Sequence, residues 1–313
     1  KYAVRTALLL ALGAIHGVFI WFGDILAIYA ICAFITIPFV KVSDKVLAWI
    51  IGGCLAFGLV VGGGLGALVQ SGLSQMGPET PFIGAASEAK IYAQDGYLMQ
   101  TLHRVIILAL NSFNFLFMAP PIFAMFLGGM MLARRGLFRG EGTASSDLSK
   151  MLKIGLGIGI PLNLIPIALR FFDLPPYATF AVEFCFAPIL AFGLVAFFLK
   201  VLPAIPRLLT DPFRRVGKIA LTSYLTQSIL CTTLCYSWGF RLYGTLDWKE
   251  QVLVCLGVWT FCLVFAAFWT SRFSIGPVEW VWRSAIEGRR LPWKEAASRT
   301  PALAAADGGA SKD

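Results

Sequence analysis

Eight apolar runs, each long enough or nearly long enough to cross about 30 Å of hydrocarbon, constrain this chain more than any other feature. They cover residues 6–22, 25–40, 46–69, 105–132, 154–169, 177–199, 219–240 and 252–271. Lipid supplies no hydrogen-bond partners, so backbone at that depth must close its own bonds, and runs this apolar do so as helices. The expected fold is therefore all-α, a polytopic transmembrane bundle of about eight spans. Runs 25–40 and 154–169 are short and call for snorkelling flanks or local thinning of the bilayer. Run 105–132 is overlong and contains Pro120 and Pro121. A hydrophobic content of 58%, only 14% charged residues and a mean hydropathy of +0.76 exclude an ordinary soluble domain.

Basic residues give the orientation. Of 26 lysines and arginines, 21 fall in the first stub, the second, fourth and sixth connections and the C-terminal segment; the alternate connections hold 5. By the positive-inside rule the first set is cytoplasmic, as are both ends of the chain. The net charge of +9 follows from that bias, so basic loops such as RRGLFRG do not imply a nucleic-acid partner. The chain starts with Lys1 and enters an apolar run at once, with no cleavable-signal pattern; the true N-terminus is expected to lie further upstream. A single integral membrane domain is expected over 1–290, and 291–313, without apolar periodicity, reads as a disordered cytoplasmic tail.

The seven cysteines all lie in spans and read as small apolar helix residues, with no metal site expected. Gly58, Gly62 and Gly66 recur every four residues, as do Gly155 and Gly159. That spacing places each set on one helix face and points to close helix packing rather than to a phosphate loop. The outer connection 70–104 carries EAKIYAQDGYLMQTLHR, which is expected to lie as an amphipathic helix at the interface. No soluble catalytic domain is evident, so any chemistry belongs to the membrane helices.

Ionisable groups in apolar spans cost about 2.5–3.5 kcal/mol on insertion scales and are functional candidates by default. In AIHGVFIWFGDILAIYAICAF, His16 lies seven residues from Gly23, or ~10 Å from the outer end of its helix, and Asp24 sits at that outer turn. Asn111 and Asn114, Asn163 and Glu183 fall in the outer half of three further spans. Together they outline a cavity open to the outer side. His16 is the candidate base or nucleophile, with Asp24 or Glu183 to orient it; the asparagines are candidate substrate contacts. On the cytoplasmic side, Thr222, Ser223, Tyr224 and Gln227 form a polar strip that could line a substrate path or bond helix to helix. GPVEWVWR reads as an interfacial anchor helix in which Glu279 and Arg283 pair at i,i+4, with Arg283 available to an acidic headgroup.

Three segments in order, RTALLLALGAIHGVFIWFGDILAIYAICAF, GKIALTSYLTQSIL and FSIGPVEWVWR, resemble the YeiB-like family of bacterial inner-membrane proteins, whose shared domain carries no assigned function. The resemblance runs from residue 1 to about Arg290. It implies an inner-membrane location and a further N-terminal portion of about two helices, with an arginine-glycine motif, that is missing here. The family is grouped by fold similarity with transmembrane acyltransferases, which use a membrane histidine. The resemblance thus implies acyl transfer through His16, with an acyl donor such as an acyl-CoA and a sugar or lipid-linked acceptor. No resident cofactor is evident. A transporter or flippase, and a non-catalytic scaffold, are the competing readings; the residues leave the oligomeric state open.

Overall fold

The computed structural model describes residues 2–75, 85–137, 144–170 and 176–294; side chains at 62–75, 85–86, 111–118, 144–145, 169–170 and 176–184 lie outside that description. The described residues form helices joined by short turns. These are α1 (Tyr2–Phe19), α2 (Leu26–Thr36), α3 (Asp44–Gln75), α4 (Ala85–Gln94), α5 (Tyr97–Arg134), α6 (Ala144–Gly157), α7 (Gly159–Arg170), α8 (Pro176–Val201), α9 (Arg207–Lys218), α10 (Ala220–Cys235), α11 (Trp248–Thr270) and α12 (Pro277–Glu287). Among the described residues, five helical stretches are long and apolar enough to span a membrane: 2–19, 44–61, 146–168, 185–204 and 248–270. The other three expected spans are also helical, but differently built. The run at 25–40 is the short α2 continued by a 3-10 turn, Ile37–Lys41. The run at 105–132 is the middle of the 38-residue α5, and the run at 219–240 supplies the 16-residue α10. Outward faces carry large apolar side chains, among them Trp49, Val60, Leu253, Trp259 and Val264, which suit contact with lipid and would be costly in water.

Two compact units are formed, one from Lys1–Arg207 with Cys231–Leu246, the other from Leu208–Leu230 with the chain from Asp247 onward. In the first, α1 packs on α2 and α5, α3 on α5 and α8, and α6 and α7 on α8. Glycines set the closest of these approaches, as their spacing implied. Gly155 of α6 lies against Gly193 of α8, and Gly159 of α7 against the backbone of Leu190; a Cβ at either glycine of the first pair would meet backbone. Gly58 accommodates the Pro121 ring and the Cys185 thiol, whereas the side-chain surroundings of positions 62 and 66 lie outside the described residues. The basic connection after α5 is shorter than expected, because α6 starts at Ala144. At that end Arg134 donates to Phe39 O, Val40 O and Val42 O and pairs with Asp44 at 2.9 Å, closing the carbonyl end of the 3-10 turn.

In the second unit the expected Glu279–Arg283 pair is not made. The Glu279 carboxylate is buried and turned to the first turn of α10, where Oε1 accepts from Leu221 N at 2.7 Å and Thr222 N at 3.0 Å, and Oε2 accepts from the Thr222 hydroxyl. Thr222 Oγ1 in turn accepts from Val278 N at 3.1 Å. Each helix thus caps the other's N-terminus, where a negative charge is favoured by the helix dipole. A side chain on Gly276 would run into the carboxylate, which accounts for the glycine before Pro277. Arg283 is left exposed on α12. Packed structure also continues past 290: Trp293 stacks on Trp280 with centroids 4.5 Å apart and meets Trp269 and Phe273 edge-on. Residues 295–313 of the expected tail lie outside the described residues.

Replacing Gly193 by Leu is expected to force α6 and α8 apart at a cost of about 1–3 kcal/mol. Glu279→Ala is expected to cost about 2 kcal/mol and Glu279→Gln less, since the amide oxygen still accepts from the two backbone N–H groups. Thermal denaturation of the purified chain in detergent measures all three.

Candidate functional site

The first helical hairpin holds the histidine because glycine leaves room for it. Gly13 and Gly17, on either side of His16 in GAIHG, face the start of α2. A Cβ on Gly13 would collide with Ala27 N and the Asp24 carboxylate, whereas one on Gly17 would sit in ordinary contact with Leu108 and Asp24 Cβ. The α1 helix closes with Ile20 N and Trp21 N both bonded to His16 O at 2.9 Å. A turn then returns the chain so that Asp24 lies beside His16. His16 Nδ1 is 2.9 Å from Asp24 Oδ1, both side chains are almost wholly buried, and Asp24 Oδ2 accepts from Ala27 N at 2.8 Å. One carboxylate thus orients the imidazole with one oxygen and satisfies the first turn of α2 with the other. With the carboxylate as acceptor, Nδ1–H donates to Asp24 Oδ1, and Nε2 is then the basic nitrogen of the ring.

A second buried polar group, missed in the sequence, lies at the start of α5 in the same unit. The segment 85–104 does not lie flat as one amphipathic interfacial helix. It breaks at Asp95–Gly96 into α4 and the first turns of α5, and Ile91, Tyr92, Gln100, His103 and Arg104 are all buried. Gln100 Nε2 donates to Asp95 O at 3.0 Å and to Ser237 Oγ at 2.7 Å, joining the end of α4 to the loop after α10. Tyr92 stacks on Tyr236 at 4.4 Å, and its hydroxyl lies 3.1 Å from His103 Nδ1. The Tyr243 hydroxyl donates to Glu88 at 2.9 Å. Burial pushes the Tyr92 phenol well above its ordinary pKa against the pull of the Arg104 guanidinium; burial and the Glu88 bond push Tyr243 up likewise. His103 is a core residue in the second turn of α5. The missed signal was the Asp95–Gly96 pair, which ends one helix and starts a helix that enters the membrane region without a further break.

The remaining candidates are dispersed. Asn163 donates to Gly159 O at 2.8 Å and Phe186 O at 3.2 Å, so its amide ties α7 to α8. Asn111 and Asn114 fall within α5 and Glu183 within α8, but their side chains lie outside the described residues. Tyr224 and Gln227 are half-buried on α10 in the other unit, where Gln227 reaches the Cys262 thiol of α11. Among the described residues no group of three or more His, Cys, Asp or Glu side chains is placed to hold a metal ion.

Comparison with known proteins agrees with the three sequence segments. Residues 132–289 match the family model described as "Protein of unknown function (DUF418)". The chain is 29% identical over 318 residues to "Uncharacterized protein YxaH" of Bacillus subtilis, an alignment covering 96% of this chain and 74% of the relative. It is 30% identical over 294 residues to "Uncharacterized protein YeiB" of Escherichia coli, covering 89% and 74%. No solved structure matches the chain. With half of its length under the family model and so much of both relatives aligned, this helical membrane protein belongs to the DUF418 family of YeiB-like bacterial proteins.

Proposed function

We propose that the protein is an acyltransferase of the bacterial inner membrane and that His16, oriented by Asp24, is its base. The observation that carries this reading is the buried Nδ1–carboxylate contact at 2.9 Å, the base-and-orienter half of a nucleophilic triad. Loop charges place the pair in the outer half of the membrane, which favours an extracytoplasmic or membrane-associated acceptor such as a sugar or lipid-linked hydroxyl. In the step proposed, His16 Nε2 takes the proton of the acceptor hydroxyl as its oxygen attacks the thioester carbonyl of an acyl-CoA-type donor. The tetrahedral adduct collapses, the C–S bond breaks, and the thiolate leaves with the proton returned by the imidazolium; a C–O ester bond is the net gain. Asp24 stabilises the imidazolium while its charge lasts.

His16→Ala is expected to lower transfer of a radiolabelled acyl group by about 100-fold or more in the purified protein, with the fold retained. Asp24→Asn should lower it less, and should also lower stability through the altered cap on α2. Undiminished transfer by His16→Ala overturns the proposal, and movement of substrate across vesicles without donor turnover would mark a carrier instead.

A further inference from the structure

Arg104 is fully buried, yet among the described residues no carboxylate pairs with it. Removing a guanidinium from water costs several kcal/mol unless its charge is met, so the surroundings of this one are informative. Nε donates to Val18 O at 2.7 Å, at the carbonyl end of α1, and Nη2 donates to the Thr101 hydroxyl at 2.7 Å. The Tyr97 ring covers the guanidinium with its centroid 5.2 Å from Cζ, and the Tyr97 hydroxyl donates to Phe19 O. These contacts satisfy part of the group through dipoles and a ring face. Among the described residues Nη1 meets no acceptor in good hydrogen-bond geometry, although the Tyr92 phenol interacts with the guanidinium both through its charge and as a hydrogen-bond neighbour. The result is a buried positive charge met by dipoles, a ring face and the Tyr92 phenol, with no paired carboxylate among the described residues and with Nη1 short of a well-aligned acceptor.

We propose that Arg104 is an anion-binding residue that takes a phosphate group between α1 and the start of α5. Three features favour phosphate. Guanidinium is the side chain best matched to phosphate oxygens, and the Tyr92 hydroxyl lies beside it, while the Thr101 hydroxyl, which accepts from Nη2 and donates to Tyr97 O, holds the guanidinium in place. The exposed rings of Tyr97 and Trp238, 6.4 Å apart and edge-on, resemble an aromatic belt at headgroup depth. Arg104 lies seven residues along α5 from Tyr97, about 10 Å, so its guanidinium reaches up toward that level. The phosphate belongs either to a membrane lipid headgroup or to a soluble ligand. This site stands whether or not His16 catalyses acyl transfer, because its signature is binding.

The test uses the full chain purified in detergent and in nanodiscs of phosphatidylcholine with or without phosphatidylglycerol, read by thermal denaturation. Expected is a saturable rise in Tm with inorganic phosphate or with phosphatidylglycerol, absent with chloride at equal ionic strength and lost in Arg104→Gln. A response to inorganic phosphate alone assigns a soluble ligand, and a response to phosphatidylglycerol alone assigns a lipid headgroup. Wild-type protein that responds to neither phosphate source overturns the proposal, as does an Arg104→Gln protein that keeps the response. Should Arg104→Gln fail to fold, Arg104→Lys decides: about tenfold weaker binding is expected, because an ammonium cannot keep the Val18 and Thr101 bonds while reaching the anion. Unchanged affinity in Arg104→Lys overturns it.

Discussion

A backbone N–H or C=O left without a partner in hydrocarbon costs several kcal/mol, and every helix end exposes a turn of them. The protein meets this demand with single side chains sent from elsewhere in the sequence. Asp24 closes the start of α2, Arg104 and Tyr97 close the end of α1, and Gln100 closes the end of α4. Arg134 gathers three carbonyls at the end of the 3-10 turn, and Glu279 serves the start of α10 from 58 residues away. Most polar residues that a hydropathy profile marks as anomalies are therefore the groups that make the apolar helices stable where they stop.

The same economy explains why the candidate chemistry sits in the first hairpin. A carboxylate fixed by a backbone N–H cannot swing away, so its second oxygen holds the imidazole in one orientation and one tautomer. Capping and orienting are done by different oxygens of Asp24 and do not compete. Gly13 is part of the arrangement, because only the absence of a side chain there lets the turn bring Asp24 against α1. Arg104 differs from Asp24 in one respect: its contacts leave Nη1 short of a well-aligned acceptor, whereas those of Asp24 and Glu279 use both oxygens.

Much of the fold was legible because hydrophobic length and charge asymmetry are local properties of the chain. The helical class and the packing role of Gly155 could be read from spacing alone. The surroundings of the polar residues could not, as Glu279 shows: its i,i+4 neighbour Arg283 was the natural partner on an isolated helix. Burial changed that choice, since a buried carboxylate gains more from two amide N–H groups and a hydroxyl than from an exposed arginine. The burial of His103 and Arg104 is likewise not legible in the connection 70–104, because nothing in LHRVIILAL tells that α5 starts several residues earlier and that α1 and α4 close over them.

By itself, the sequence determined that this chain becomes apolar helices and which family it resembles, since each can be read within windows of some twenty residues. The tertiary structure decided which polar groups meet. It joined His16 to Asp24, bound Asn163 at the seam of α7 and α8, turned Glu279 to α10 and buried Arg104 with no carboxylate paired to it among the described residues. Partnership between buried polar groups depends on where turns place helix ends and on which glycines admit close approach. Those distances emerge only once the helices have packed.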